Sequence, residues 1–213
     1  MNGTLNLLIG LAMGLNLLAL GGSRLPSLIR IMSLQGVVLG LLPLLMEHEF
    51  DWRIGLVAIA TLMVKGVVNP SLLRRAMRTT SIEREVEPYI GFIPSLLIGA
   101  GGAIAAVAMA QKLPLLPEQT GSLLVPGAIA TILTGFILLV GRVKAISQVC
   151  GYMILENGIY LFGLLLINSM PLLVETGLLL DLTVGVFVIG IILDRIQRAF
   201  DSLDTRKLTA LRE

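Results

Sequence analysis

The stretch YMILENGIYLFG, residues 152–163, places a carboxylate among side chains suited to the interior of a membrane. The nearest charged residue before Glu156 is Lys144, and the nearest after it is Glu175. An acid so isolated means either that the stretch is not a membrane helix or that the acid has work to do there. The rest of the chain decides between these. Its 213 residues are 55% hydrophobic and only 14% charged, whereas a soluble domain carries about 25% charged residues. The composition predicts an all-α, polytopic membrane helix bundle.

Cys150 is the only cysteine and His48 the only histidine. An intrachain disulfide, a cysteine cluster site and a multi-histidine metal site are therefore excluded. There is no phosphate-binding glycine loop and no nucleophile–base pair. The chain is expected to be non-catalytic and to hold no cofactor of its own, with the lipid bilayer rather than nucleic acid as its surroundings. The opening MNGTLNLLIGLAMGLNLLAL lacks a basic leader and reads as a first spanning helix.

A helix needs about 20 apolar residues to cross the hydrocarbon core. Such runs recur at 3–20, 25–46, 54–73, 89–111, 122–140, 145–167 and 172–193, which predicts seven spans. Turn and breaker signals separate them: GGSRLP, EHEFDWR, NPSLLRRAMRTTSIEREVEP, QKLPLLPEQTG, GRVK and NSMP. Arg24 and Arg30 flank the first connection, Arg74, Arg75, Arg78 and Arg84 lie at the third, Arg142 and Lys144 at the fifth, and five basic residues in the tail. The second, fourth and sixth connections are acidic or nearly neutral. The positive-inside rule then predicts a multi-pass protein of the cytoplasmic (inner) membrane, with its N-terminus outside and its C-terminus in the cytoplasm. His48, among Glu47, Glu49, Asp51 and Trp52, falls on the outer side. It reads as a solvated residue beside an interfacial Trp52, or as a proton relay at an exit.

Three ionisable residues fall near span centres: Lys65 in the third, Glu156 in the sixth and Asp181 in the seventh. Each costs about 2.5–3.5 kcal/mol at a helix centre on insertion scales, and such residues usually face a bundle interior and mark an ion route. The alternative is that they only pair and pin helices together. Helical spacing supplies supporting polar groups on the same faces: Tyr152 and Tyr160 four residues either side of Glu156, Thr61 and Asn69 either side of Lys65. Gly177 and Gly185 flank Asp181 and allow close helix approach. Gln35, mid-span in the second helix, and Asn6 and Asn16 in the first read as interhelical hydrogen-bonding residues. Pro94 and Pro126 lie near span ends and Pro43 near the outer edge of the second, so no span shows the paired Gly/Pro interruption at its centre that marks a transporter site.

The first three and last three spans share an organisation. GGSRLPSLIR answers to VGRVKAISQ, SLQGVVLGLL to ILENGIYLFGLL, and LMVKGVVNPSLLRR to LLLDLTVGVFVIGIILDR. Both sets have the same predicted direction, with the fourth span and its small-residue run IGAGGAIAAVA as linker. The expected organisation is a repeat at 1–73, a loop and linker helix at 74–120, a second, parallel repeat at 121–194 and a tail at 195–213.

Over residues 122–198 the chain resembles the small K subunit of respiratory complex I and its antiporter relatives. Glu156 in GYMILENGIYLFG matches the second-helix glutamate of that family, and Asp181 in LLLDLTVGVFVIG falls at its third-helix carboxylate, as aspartate. The whole chain resembles component E of hydrogenase-4, from the membrane arm of energy-converting hydrogenases and formate hydrogenlyases. The N-terminal set departs from the K pattern, with Gln35 and Lys65 where carboxylates would stand. The resemblance implies a membrane subunit of a complex I-like assembly with antiporter-like partners. Glu156, Asp181 and Lys65 would lie on its proton or sodium path, and redox chemistry would belong to other subunits. It also implies an axis of alternating lysines and carboxylates. On that basis the two sets are expected side by side, with Glu156 and Asp181 near a neighbouring subunit and Lys65 further out. Face-to-face packing would instead pair Lys65 with Asp181. An independent secondary ion transporter, or a subunit of a multisubunit cation/proton antiporter, is the alternative.

The orientation is open to a direct test. A reporter active only in the cytoplasm is expected to work when fused to the C-terminus and to be silent at the N-terminus; the reverse result would overturn the topology.

Overall fold

A computed structural model of the protein describes residues 2–46, 52–79, 88–113, 121–166, 177, 183–185, 187 and 190. Among them the chain is helical, with a single isolated bridge between Pro88 and Arg142 and no strand. The helices are α1 (Asn2–Gly21), α2 (Leu25–Met46), α3 (Trp52–Met63), α4 (Asn69–Thr79), α5 (Phe92–Ala110), α6 (Leu124–Gly141) and α7 (Ala145–Leu164), and a π-helical turn (Val64–Val68) joins α3 to α4. Among the described residues, four helical stretches are long and apolar enough to cross a membrane: Gly3–Gly21, Leu25–Met46, Phe92–Ala110 and Leu124–Gly141. α7, which carries Gln148, Glu156 and Asn157, is not among them. The expected seventh span, the acidic connection at 47–51 and the tail fall wholly or largely outside the described residues.

The surface is apolar where a soluble protein's would be polar. Leu7, Leu18, Ile59, Ile93, Leu97, Ile104 and Phe136 are all more than half exposed, while Asn16, Gln35, Thr61, Lys65, Asn69, Thr131, Glu156 and Asn157 are buried. Polar groups within and an apolar exterior fit a lipid solvent, where backbone and side-chain polar groups must be satisfied internally.

α1, α2, α6 and α7 form the centre. α1 and α6 run in the same direction, because their contacts advance together. Asn6 donates to the Gly121 carbonyl (3.1 Å) and accepts from the Leu123 amide (2.9 Å), Asn16 meets Thr131, and Leu20 meets Arg142. α2 and α7 are likewise parallel. Leu25, Leu28 and Ile29 share an apolar cluster with Ile146, Val149 and Cys150, and Val38, Leu39 and Leu42 share another with Tyr160, Leu161 and Leu164. α6 and α7 are held at backbone contact. A Cβ on Gly151 would lie 2.6 Å from the Leu139 nitrogen, and one on Gly158 2.6 Å from the Ile132 nitrogen. Without a hydrophobic force between helices in lipid, this close approach is what supplies dispersion contact.

The third helix departs from expectation. The asparagine–proline pair at 69–70 reads as a stop, and the span was expected at 54–73. Instead the helix runs from Trp52 to Thr79, with the π turn at its centre. A proline ring clashes with the carbonyl four residues back and offers it no N–H. Here that carbonyl belongs to Gly66, and the Ser33 hydroxyl of α2 donates to it at 2.8 Å. The Asn69 amide bonds to the Val64 oxygen, the five-residue reach of a π turn. Widening the turn removes the clash and Ser33 satisfies the carbonyl, so the helix continues.

At one end of the bundle Arg142 is 1% exposed. It donates to the Leu20 carbonyl at the end of α1 (2.7 Å) and to Ile90 before α5 (2.9 Å), and lies 4.9 Å from the centre of the Phe92 ring. Burial lowers its guanidinium from the ordinary value, which for arginine leaves it charged. Arg142 thus serves as a C-terminal cap on α1 and gathers the first, third and fifth connections at one end.

The tight α6–α7 contact gives a measurable expectation. Gly158→Val overpacks a backbone contact and should lower stability by about 1–3 kcal/mol or more, read as a lower thermal unfolding midpoint in detergent. Gly14→Ala, where a Cβ meets nothing within 4 Å, should leave the midpoint nearly unchanged. Equal midpoints for both variants would rule out the contact.

Candidate functional site

The widened turn determines where Lys65 points. Lys65 and Gly66 sit inside it, and α2 approaches so closely that a Cβ on Gly36 would lie 2.8 Å from the Lys65 Cβ. Lys65 therefore emerges between α2 and α7. Its Nζ stands 3.3 Å from Glu156 Oε1, with the two side chains 4% and 2% exposed. The same ammonium lies 5.1 Å from the centre of the Tyr160 ring, within cation–π range. A cavity of about 10 Å³ adjoins the pair, lined by Met32, Lys65, Asn69, Met153, Glu156 and Asn157.

The expected placement of Lys65 away from the carboxylates is thus corrected: it pairs directly with Glu156. The reason is packing. α2 meets both the third helix and α7, and Gly36 removes the side chain that would hold Lys65 away. Asp181 lies outside the described residues. Gly185, four residues on, is described, and a Cβ there would stand 3.0 Å from both Glu156 carboxylate oxygens. Gly185 therefore presents bare backbone to the acid.

The supporting residues divide. Tyr160 is 1% exposed and faces Lys65, whereas Tyr152 is half-buried against the apolar cluster around Met32 and Val149. Asn69 lines the cavity and donates to the Met153 sulfur at 3.3 Å. Thr61 is fully buried, and its hydroxyl has no hydrogen-bond partner among the described residues. Gln35 belongs to a chain of amides. Asn157 donates to Gln35 (3.2 Å), Gln35 to Asn16 (2.8 Å), Asn16 to the Thr131 hydroxyl (2.8 Å), and Thr131 to the Gly127 carbonyl (2.7 Å). That ladder ties α7, α2, α1 and α6 together and fixes the rotation of α7, hence the direction of Glu156. Sequence reading missed Asn157 and Thr131. The available signal was the mid-span amide adjoining Glu156, in the same spacing that marked Gln35. Among the described residues no group of three or more His, Cys, Asp or Glu side chains is placed to hold a metal.

Fold and site together define an all-helical membrane protein with a buried ion pair at the heart of its bundle. The chain belongs to the family of the uncharacterized protein Rv0085 of Mycobacterium tuberculosis, to which it is 35% identical over 189 residues, 88% of this chain and 86% of that one. It is also similar to hydrogenase-4 component E of Escherichia coli K12 and of Shigella flexneri, 33% identical over 108 residues, 51% of this chain and 49% of those proteins. Against those component E proteins the match spans about half the length. No protein-family model and no solved structure matches the chain.

Breaking a buried ion pair by removing one partner typically costs about 3–5 kcal/mol, more than replacing both. Lys65→Met alone should therefore be strongly destabilising in detergent unfolding, and Lys65→Met with Glu156→Gln should recover part of the loss. A double variant no better than the worse single one would mean that the two side chains do not depend on each other.

Proposed function

We propose that this chain is a non-catalytic membrane subunit of a complex I-like, energy-converting hydrogenase assembly, and that Lys65 and Glu156 lie on its ion-translocation path. The observation that carries the reading is the buried Lys65–Glu156 pair at 3.3 Å beside a cavity lined by four further polar or sulfur-bearing side chains, Met32, Asn69, Met153 and Asn157. A carboxylate so placed changes its charge at a large electrostatic cost unless a counter-charge moves with it. The lysine is that counter-charge, which couples protonation of the acid to its position. Similarity to hydrogenase-4 component E supports the choice of assembly. In this reading Asp181 continues the path, the two three-helix sets are parallel repeats, the basic end bearing Arg142 faces the cytoplasm, and neighbouring antiporter-like subunits receive the charge.

An independent ion transporter is the second reading, and the π turn at the centre of the third helix favours it, because such local widenings of a helix are frequent at functional sites. Purification in mild detergent separates the two: cluster-bearing partner chains are expected to co-purify, and a homogeneous single-chain species would support the transporter.

Glu156→Gln tests the role of the acid. The variant is expected to be destabilised, as removal of either partner is, and, where it assembles, to reduce ion pumping at least tenfold. Undiminished pumping by an assembled variant would reduce the pair to a structural pin.

A further inference from the structure

We infer that the cavity beside the ion pair is a binding site for one water molecule, held by Asn69, Lys65 and Glu156. The cavity measures about 10 Å³, close to the smallest space that admits a single water. Its wall includes Asn69, which is 1% exposed. The Asn69 amide nitrogen is engaged by the Met153 sulfur at 3.3 Å, and that contact fixes the amide's orientation. Reversing it would set oxygen against sulfur, with no hydrogen between them. The Asn69 carbonyl oxygen is thereby left as an acceptor with no hydrogen-bond partner among the described residues. A buried amide oxygen in that position calls for a donor, and the described side chains around the cavity do not send it one.

A water supplies what the wall lacks. It donates one hydrogen to the Asn69 oxygen and the other to the Glu156 carboxylate, and accepts from the Lys65 ammonium. Three partners of matched sense are typical of a structural buried water. Asn157, the fourth polar residue of the wall, has its amide nitrogen committed to Gln35 at 3.2 Å, which leaves the water to the charged pair. The two methionines, Met32 and Met153, line the rest with largely apolar surface, so the polar partners on offer lie on one side. Asn69 is then a positioning residue for the hydration of Glu156. The site itself stands apart from the transport reading. Only its service as the carboxylate's hydrogen-bonded route to neighbouring waters rests on that reading.

The test is an experimental structure of the protein in its native membrane assembly, at a resolution that shows ordered waters. The expected result is one density peak within about 3 Å of both the Asn69 carbonyl oxygen and the Glu156 carboxylate. No peak there, or a side chain filling the space, would overturn the inference. Asn69→Leu, similar in volume and without the acceptor, should abolish the peak while Lys65 and Glu156 stay in contact. A peak that survives unchanged would show that Asn69 does not hold the water. Both readouts are independent of pumping, so a failed transport assay and a failed water site are distinguishable.

Discussion

Two opposite charges removed from water must meet, and most of the bundle centre follows from where they do. The Lys65–Glu156 contact is surrounded by concessions of size. α2 offers glycine at position 36, a glycine at 185 stands against the acid, and α7 lies against α6 through Gly151 and Gly158. Each of these glycines brings a backbone to a place that a side chain would deny. The cost of dehydrating both groups is offset by their mutual attraction, by the Tyr160 ring face and by the polar wall of the adjoining cavity. Remove any of these and the pair has less to hold it than the membrane interior demands.

The amide ladder solves a different problem. Amides do not change charge, so a line of them fixes geometry without responding to protonation. Its direction is set at the far end, where the Thr131 hydroxyl spends its hydrogen on the Gly127 carbonyl and must accept from Asn16. Every amide behind it is then oriented in turn. The ion pair, which is able to change, thus sits beside a scaffold that is not.

Much of this is legible in the sequence, for identifiable reasons. α1, α2, α5, α6 and α7 begin and end within a few residues of where apolar runs meet turn signals such as GGSR and GRVK, because lipid leaves a helix no other way to satisfy its backbone. Lys65, Glu156, Gln35, Asn69 and Tyr160 declare themselves as polar residues in the wrong solvent. Local spacing does not say which face of one helix meets which face of another, so the partner of Lys65 cannot be read from it. Nor does it show how the helix passes Pro70, which the expected span at 54–73 includes. That depends on Ser33 of α2, a residue no window around Pro70 includes. Arg142 illustrates the same limit: as a charge it marks topology, and only three-dimensional contact reveals it as a cap on α1.

The distance along the chain between Lys65 and Glu156 has a consequence for biosynthesis. Glu156 leaves the ribosome about 90 residues after Lys65, roughly 5–20 s later at ordinary synthesis rates. Through that interval the lysine has been made while its counter-charge does not yet exist. Until α7 arrives, the contacts that Ser33 and Gly36 of α2 make with the turn around Lys65 are the ones already available to hold it. Completion of the core is a late event, and a nascent chain cut short before α7 carries an uncompensated charge that quality-control proteases are equipped to find.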